Sequence, residues 1–376
     1  MNIPIRTLAV GTFAVGTDAF VVAGFLPAMA ASLDVSPAAA GQSVTVFAAA
    51  YAVGSPVLAT LTARLPRRTL LVSALAVLGL ANLGSALAPD LAVLMITRVL
   101  AALGAAAYTP NAGAVSASLA GPEQRARALS VVVGGLTIAT ALGVPLGGLA
   151  GQLLGWRAAL GLVAAVCLLV ALGVRAVLPP LPGHPRVPLR TRLGALKRPG
   201  VLPVLALTVL GMAAGYTAYA YSAPALAAVG IASPAPMLFL YGVGAVVGNL
   251  AAGRATDRWN ASLVLRSGYT LMAASLAALA LLAATGATAP ALVGALMAAW
   301  GASSWCQTPP QQHRLIDIAP DEAPLLVSLN SSCIYLGIGL GTALGAFTLP
   351  SGFPTVFAAG AALAVLAIPL TAARTR

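Results

Sequence analysis

A chain of 376 residues that is 60% hydrophobic and only 7% charged carries too much apolar side chain for a soluble fold, where about 25% charged is usual. Its net charge of +12, from 20 Lys+Arg against 8 Asp+Glu, sits in short loops between apolar runs. That placement matches the positive-inside bias of membrane proteins and excludes a nucleic-acid partner.

The first span is read from Thr7 to Ala31. Ala28-Met29-Ala30 imitates a signal-peptidase site after a basic start, but cleavage would remove the one acid found inside an apolar run. The second span covers about 42–62 and is followed by the basic turn Arg64-Leu65-Pro66-Arg67-Arg68. The third runs 69–87, with Pro89-Asp90 as a short outer turn, and the fourth about 91–119. The polar segment 121–127 leads to a fifth span, 128–151; after Gly155-Trp156-Arg157 comes a sixth, 158–178.

Residues 179–200 are rich in proline and carry Arg186, Arg190, Arg192, Lys197 and Arg198, which marks a linker. Six further spans follow at roughly 201–229, 236–256, 261–285, 289–312, 323–347 and 354–372. The predicted fold is therefore an all-α membrane protein of twelve spans, with a six-helix bundle in 1–178, a linker in 179–200 and a second bundle in 201–376. With the N-terminus in the cytoplasm, every basic residue except Arg157 and Arg98 falls on the cytoplasmic side, Arg374 and Arg376 included. Both termini are then cytoplasmic.

The second half repeats the first. Leu26-Pro27-Ala28 matches Ala223-Pro224-Ala225, and the run 104–108 (GAAAY) matches 301–305 (GASSW), both at an offset of 197 residues. Gly143-x-x-Leu146-Gly147 matches Gly341-x-x-Leu344-Gly345 at 198. Three matches in order argue for two halves related in parallel.

Asp18 is the buried acid. It lies about 16 Å into the membrane at 1.5 Å per residue, where an ionised carboxylate costs several kcal/mol unless paired. A carboxyl reachable alternately from each side is what proton coupling requires; the plainer alternative is a structural acid bonded to a neighbouring helix. Arg98 is the buried base. Descending from the outside, it reaches within roughly 4 Å of the depth of Asp18, so the two can pair; the plainer alternative is a donor to backbone carbonyls that locks spans one and four. At the repeat offset they fall on Gly215 and Ala295, so neither charge belongs to the repeated scaffold. Cys167, Cys306 and Cys333 lie in apolar runs, and His184 and His313 are read as loop or helix-end residues. No disulfide framework and no metal site is expected.

The fifth span is uncharged and long enough to cross a bilayer, yet it holds six glycines and Pro145. In water that composition breaks a helix; in a membrane it permits close helix packing. Gly143-Val144-Pro145-Leu146-Gly147-Gly148 in the fifth of twelve spans resembles the antiporter motif of the major facilitator superfamily, in its drug/proton antiporter branch. The turn after span two resembles that family's Gly-x-Leu-Ala-Asp-Arg-x-Gly-Arg. Arg64, Arg67 and Arg68 stand in register, while Ala59, Ala63 and Pro66 replace glycine, aspartate and glycine. The second-half copy is closer, with Gly253, Arg254, Asp257 and Arg258. The run 16–27, GTDAFVVAGFLP, is most similar to sugar-efflux and chloramphenicol-resistance-like members.

The resemblance implies the following. The loop motif is a cytoplasmic latch, with Asp257 pairing Arg258 or a helix end in place of the acid missing at Ala63. Spans one, four, seven and ten line a central cavity, where Tyr108, Asn111, Tyr216, Tyr219, Trp305 and Gln307 are candidates for substrate contact. The glycine segment is expected to seal span five against span eleven. The function implied is a monomeric secondary transporter of the plasma or inner membrane, exporting a small neutral or lipophilic organic molecule such as a drug, antibiotic or sugar. Asp18 and Arg98 would couple export to the proton gradient, and no cofactor is needed. An importer or symporter of a sugar or nucleoside is the alternative. A membrane enzyme or sensor is a lesser one, because the sequence offers no nucleophile–base pair, no phosphate loop and no soluble domain.

Overall fold

A computed structural model describes residues 3–120, 124–183 and 185–372. His184, Arg374, Arg376 and part of the 121–127 loop lie outside the described residues. Within them the chain is helical, with no strand, and eleven helices are long and apolar enough to cross a membrane.

The first half comprises α1 (Ile3–Phe20), α2 (Leu26–Ser32), α3 (Pro37–Leu61), α4 (Arg67–Ala86) and α5 (Leu91–Leu119). It continues with α6 (Arg125–Ile138), α7 (Val144–Leu153) and α8 (Trp156–Val177). Local chemistry sets the starts: Ser36 caps α3 by accepting from the Ala39 N–H at 3.1 Å, and Asp90 caps α5 through the Val93 N–H at 2.9 Å. The short α9 (Leu189–Gly194) lies in the linker. The second half holds α10 (Val201–Tyr219), α11 (Ser222–Ala228), α12 (Pro234–Arg258) and α13 (Ala261–Thr285). It ends with α14 (Pro290–Trp305), α15 (Thr308–Ile318), α16 (Ala323–Thr348) and α17 (Phe353–Leu370).

Four spans read as continuous are interrupted, and proline accounts for the breaks. Span one stops at Phe20 and passes through a 3-10 turn, Val21–Gly24, before Pro27 opens α2. Span seven breaks at the matching place, between α10 and α11, just ahead of Pro224. Span ten divides into α14 and α15 ahead of Pro309 and Pro310. Span five stays helical but widens to a π-helix over Ala139–Gly143. Pro145 has no N–H to give the Ala141 carbonyl and its ring would strike it; the wider turn admits both.

The packing order repeats with the sequence. In the first half spans two, four, three, six, one and five touch in that order, and in the second eight, ten, nine, twelve, seven and eleven. The halves meet where α3 lies along α16 and where span five lies along α12. Outside this core the surface is apolar: Leu80, Leu87, Leu169 and Phe347 are all exposed, as suits a lipid-facing shell.

The linker straps one end. The Val187 carbonyl accepts from Thr60 Oγ1 at 3.2 Å, and the Leu181 carbonyl from the Arg67 N–H at 2.9 Å. A cavity of about 520 Å³ lies there, bordered by Thr191, Arg192, Arg198 and Glu322. Arg198 grips Glu322 with two N–H groups, Nε to Oε2 at 3.0 Å and Nη2 to Oε1, holding that carboxyl below the usual carboxylate range. A lowered folded-state value contributes stability above the unfolded carboxylate range and loses it as pH falls through the lowered value. Wild type is therefore expected to melt slightly above Glu322→Gln near neutrality, the gap closing in acid. A gap that persists in acid would mean the amide disturbs something other than this ion pair.

Candidate functional site

Asp18 occupies the last turn of α1, so its carbonyl is among the four that lack an intrahelical donor. Arg98, about two turns into α5, supplies one. Its Nη1 donates to Asp18 Oδ1 at 2.6 Å and its Nη2 to the Asp18 carbonyl at 3.2 Å. Both side chains are fully buried. The cation thus caps a helix that ends inside the protein, the favourable charge for a C-terminus, and balances the carboxylate as well. The pair is not saturated: Asp18 Oδ2 and Arg98 Nε have no hydrogen-bond partner. One carboxylate oxygen is held and the other has no hydrogen-bond partner.

Span one is also pinned ahead of this turn. Tyr108 Oη donates to the Leu8 carbonyl at 3.0 Å, and Thr12 Oγ1 to the Val132 carbonyl of α6. The glycine motif completes the wall. A Cβ at Gly143 would collide with Thr17, one at Gly147 with Val21, and one at Gly151 with Phe25. Gly341 and Gly345 pack in the same way on Ala213 and Thr217 of α10. The motif therefore seats span five on the acid-bearing span one, and its repeat seats span eleven on span seven. The expected seal between spans five and eleven is corrected: across the halves, span five meets span eight, where Gly242 of α12 faces Thr140 and Ala141 of the π segment. Glycine content predicts close approach, and only the fold says to which helix.

An aromatic cluster begins two residues past Asp18. The Phe20 ring lies 5.7 Å from Tyr216, 6.2 Å from Tyr219 and 6.1 Å from Trp305. Tyr219 continues to Tyr241 at 4.8 Å, and Tyr241 to Trp300 at 5.2 Å. Trp300 Nε1 donates to the Gly215 carbonyl at 3.1 Å. The Tyr216 and Tyr241 hydroxyls and the Trp305 indole N–H face one another loosely, none in a well-formed hydrogen bond. Tyr216, Tyr219 and Trp305 are thus brought together around Phe20.

The other three cavity candidates are placed elsewhere. Tyr108 is tied to α1. Gln307 is buried in its own half, accepting from Tyr269 Oη at 3.0 Å and donating to the Ser304 carbonyl at 2.9 Å. Asn111 accepts from Arg67 Nη1 at 2.8 Å. Polar groups in an apolar bundle find partners on adjacent helices, as these three do. Phe20 and Trp300 sit in runs that are apolar all round and Tyr241 lies on span eight, outside the four spans expected to line the cavity, so no sequence signal marks these three.

The loop motif has two outcomes. Arg67, buried, also donates Nη2 to the Ala63 carbonyl at 2.8 Å, so an amide and a carbonyl replace the missing aspartate. Arg68 reaches the Leu178 carbonyl at 3.5 Å, while Arg64 is exposed. Asp257 and Arg258 are exposed and form no ion pair with each other among the described residues, which corrects that expected pairing; adjacent helical residues do not face each other. Arg254 turns back to its own helix, and His313 meets Asp317 at 2.9 Å on the surface.

The sequence profile of the Major Facilitator Superfamily matches residues 8–323. The chain is 33% identical to Inner membrane transport protein YdhP of Escherichia coli (strain K12), over 99% of this chain and 96% of that protein. It is 33% identical to the Chloramphenicol resistance protein of Streptomyces lividans, over 93% of this chain and 90% of that protein. Among solved structures, a bacterial homologue of the human lysosomal transporter Spinster, inward-facing and occupied, superposes with a TM-score of 0.76. It shares 17% identity, over 99% of this chain and 96% of that one.

Proposed function

Because the chain belongs to the major facilitator superfamily, we propose that it is an inner-membrane exporter that exchanges protons for a small neutral or lipophilic organic molecule by alternating access. The observation that carries this reading is the fully buried Asp18–Arg98 pair with one carboxylate oxygen unheld, set at the broken turn of span one. A proton arriving on Oδ2 removes the carboxylate's charge and weakens its hold on Nη1; its departure restores the pair. The aromatic cluster beginning at Phe20 offers the substrate ring faces and loosely held hydroxyl and indole groups, which suit a molecule with apolar surface and a few hydrogen-bonding atoms.

In this reading the N-terminus and the linker are cytoplasmic, and 1–178 and 201–376 rock as two bodies about the central site. The latch residues Arg64, Arg67, Arg68, Gly253, Arg254, Asp257 and Arg258 lie on the cytoplasmic side. The chain works as a monomer. The name of the Streptomyces relative supports chloramphenicol as the first compound to try.

The test uses purified protein in vesicles with an imposed pH gradient and a panel of neutral amphiphilic compounds that includes chloramphenicol. A transported compound is expected to accumulate against its gradient and to move protons the opposite way. Asp18→Asn is expected to lose both while still inserting and folding. An Asp18→Asn protein that drives uphill transport at the wild-type rate would end the proton-exchange reading.

A further inference from the structure

Phe47 and Tyr51 are four residues apart on α3 and so share one face. The Phe47 ring lies against the Arg98 guanidinium, 4.5 Å from its central carbon to the ring centroid. Its aromatic neighbour is Tyr335 of α16, with centroids 6.3 Å apart. Tyr51 stacks on the same Tyr335 at 3.6 Å and 22°. Phe47 and Tyr51 are 1% exposed and Tyr335 8%. One face of span two therefore touches both the buried ion pair and the opposite half of the molecule. It does so along the contact between α3 and α16, where the halves meet.

We propose that Phe47 is a positioning residue that couples the state of the Asp18–Arg98 pair to the packing of the two halves through Tyr335. The proposal rests on the proton-exchange reading above. With Asp18 ionised, Arg98 is drawn to Oδ1 and to the Asp18 carbonyl, and its Nε stays without a partner. When Oδ2 takes a proton the ionic attraction falls away, but the guanidinium keeps its charge. Its remaining stabilisers are the carbonyl and the electron-rich face of Phe47, an interaction that strengthens when water is excluded. The ring cannot follow the cation without moving against Tyr335, which Phe47 and Tyr51 clasp from span two. A change of charge at the pair thus becomes a change of fit between α3 and α16.

The titratable groups around this assembly are Cys167 of α8 and Tyr335 of α16, both near enough to feel the charge of Asp18, Tyr108 of α5 near Cys167, and Tyr51 stacked on Tyr335. None is a histidine, the side chain whose ordinary titration falls between pH 5 and 8.

The experiment measures distances between spin labels at Leu87→Cys and Phe347→Cys, exposed positions at one end of opposite halves, in lipid nanodiscs. Cys167, Cys306 and Cys333 are replaced by alanine. Wild type is expected to show closed and open populations whose ratio responds to pH by up to about tenfold per unit for one coupled proton. Asp18→Asn is expected to be flat. Phe47→Leu, which keeps apolar bulk and loses the ring face, is expected to show both populations with a response below about twofold over the same range. Phe47→Tyr is expected to restore the response. Tyr335→Leu removes the relay from the other half without touching the pair and is expected to flatten it too.

A pH response in Phe47→Leu equal to wild type would overturn the inference and leave proton exchange standing. A flat response in both Phe47→Leu and Phe47→Tyr would reduce Phe47 to packing and also overturn it. A wild type that ignores pH would overturn the inference together with the reading beneath it.

Discussion

Replacing Asp18 or Arg98 alone is expected to destabilise the protein by about 3–5 kcal/mol, because each change strands a buried charge. Replacing both, as Asp18→Asn with Arg98→Gln, is expected to cost far less than the sum. The 2.6 Å contact between two fully buried groups is the reason. Asp18→Asn should fall at the lower end, since its amide oxygen can still accept from Nη1 and the Asp18 carbonyl still accepts from Nη2. Arg98→Ala removes two donors and the cap of α1 at once, and should be the worse of the two. Thermal melts of the four proteins form a double-mutant cycle, and the non-additive part is the pair's interaction. The double variant is expected to regain stability but not proton-driven transport, because no group that exchanges a proton remains at the broken turn. Additive losses would mean that the two side chains act independently. Regained coupling would place the proton site elsewhere.

The pair was legible in the sequence because helix rise is constant: counting 1.5 Å per residue down spans one and four put the two charges at matching depth, and the structure joins them. What counting could not give was the break at Phe20, although Leu26-Pro27-Ala28 and its copy Ala223-Pro224-Ala225 mark where both broken spans resume. The aromatic cluster was half legible. Tyr216, Tyr219 and Trp305 stood out as polar rings in cavity spans, whereas Phe20 and Trp300 sit in runs that are apolar all round. A helix with no polar face does not announce which side is inward. Asn111 shows the converse. Its polarity suggested substrate, yet its acceptor is spent on Arg67, whose own expected partner had been replaced by Ala63. Which helices meet across the halves was the least legible of all, since glycines occur in nearly every span.

That uncertainty is why Gly242 offers the second large effect. A side chain there would run into the Thr140 carbonyl and Ala141 in the π segment of span five, at a contact between halves and not within one. Gly242→Leu is therefore expected to leave each six-helix half intact and, in the orientation proposed above, to prevent the halves from closing at their outer ends, abolishing transport. Gly161→Leu is the control, because a Cβ at Gly161 meets nothing within 4 Å. The measurement is the rate at which a membrane-impermeant thiol reagent, added outside, labels a cysteine placed at Tyr219, with the native cysteines replaced. Tyr219 is 2% exposed, so wild type and the control should label slowly. Gly242→Leu should label at least about tenfold faster, the population shift that a lost closed state produces. The compact span-five backbone makes relief by side-chain movement impossible, since the obstructing atoms are main chain held by the π turn. Unchanged labelling, with transport retained, would mean that spans five and eight merely touch and that the outer seal is made by α3 and α16 alone.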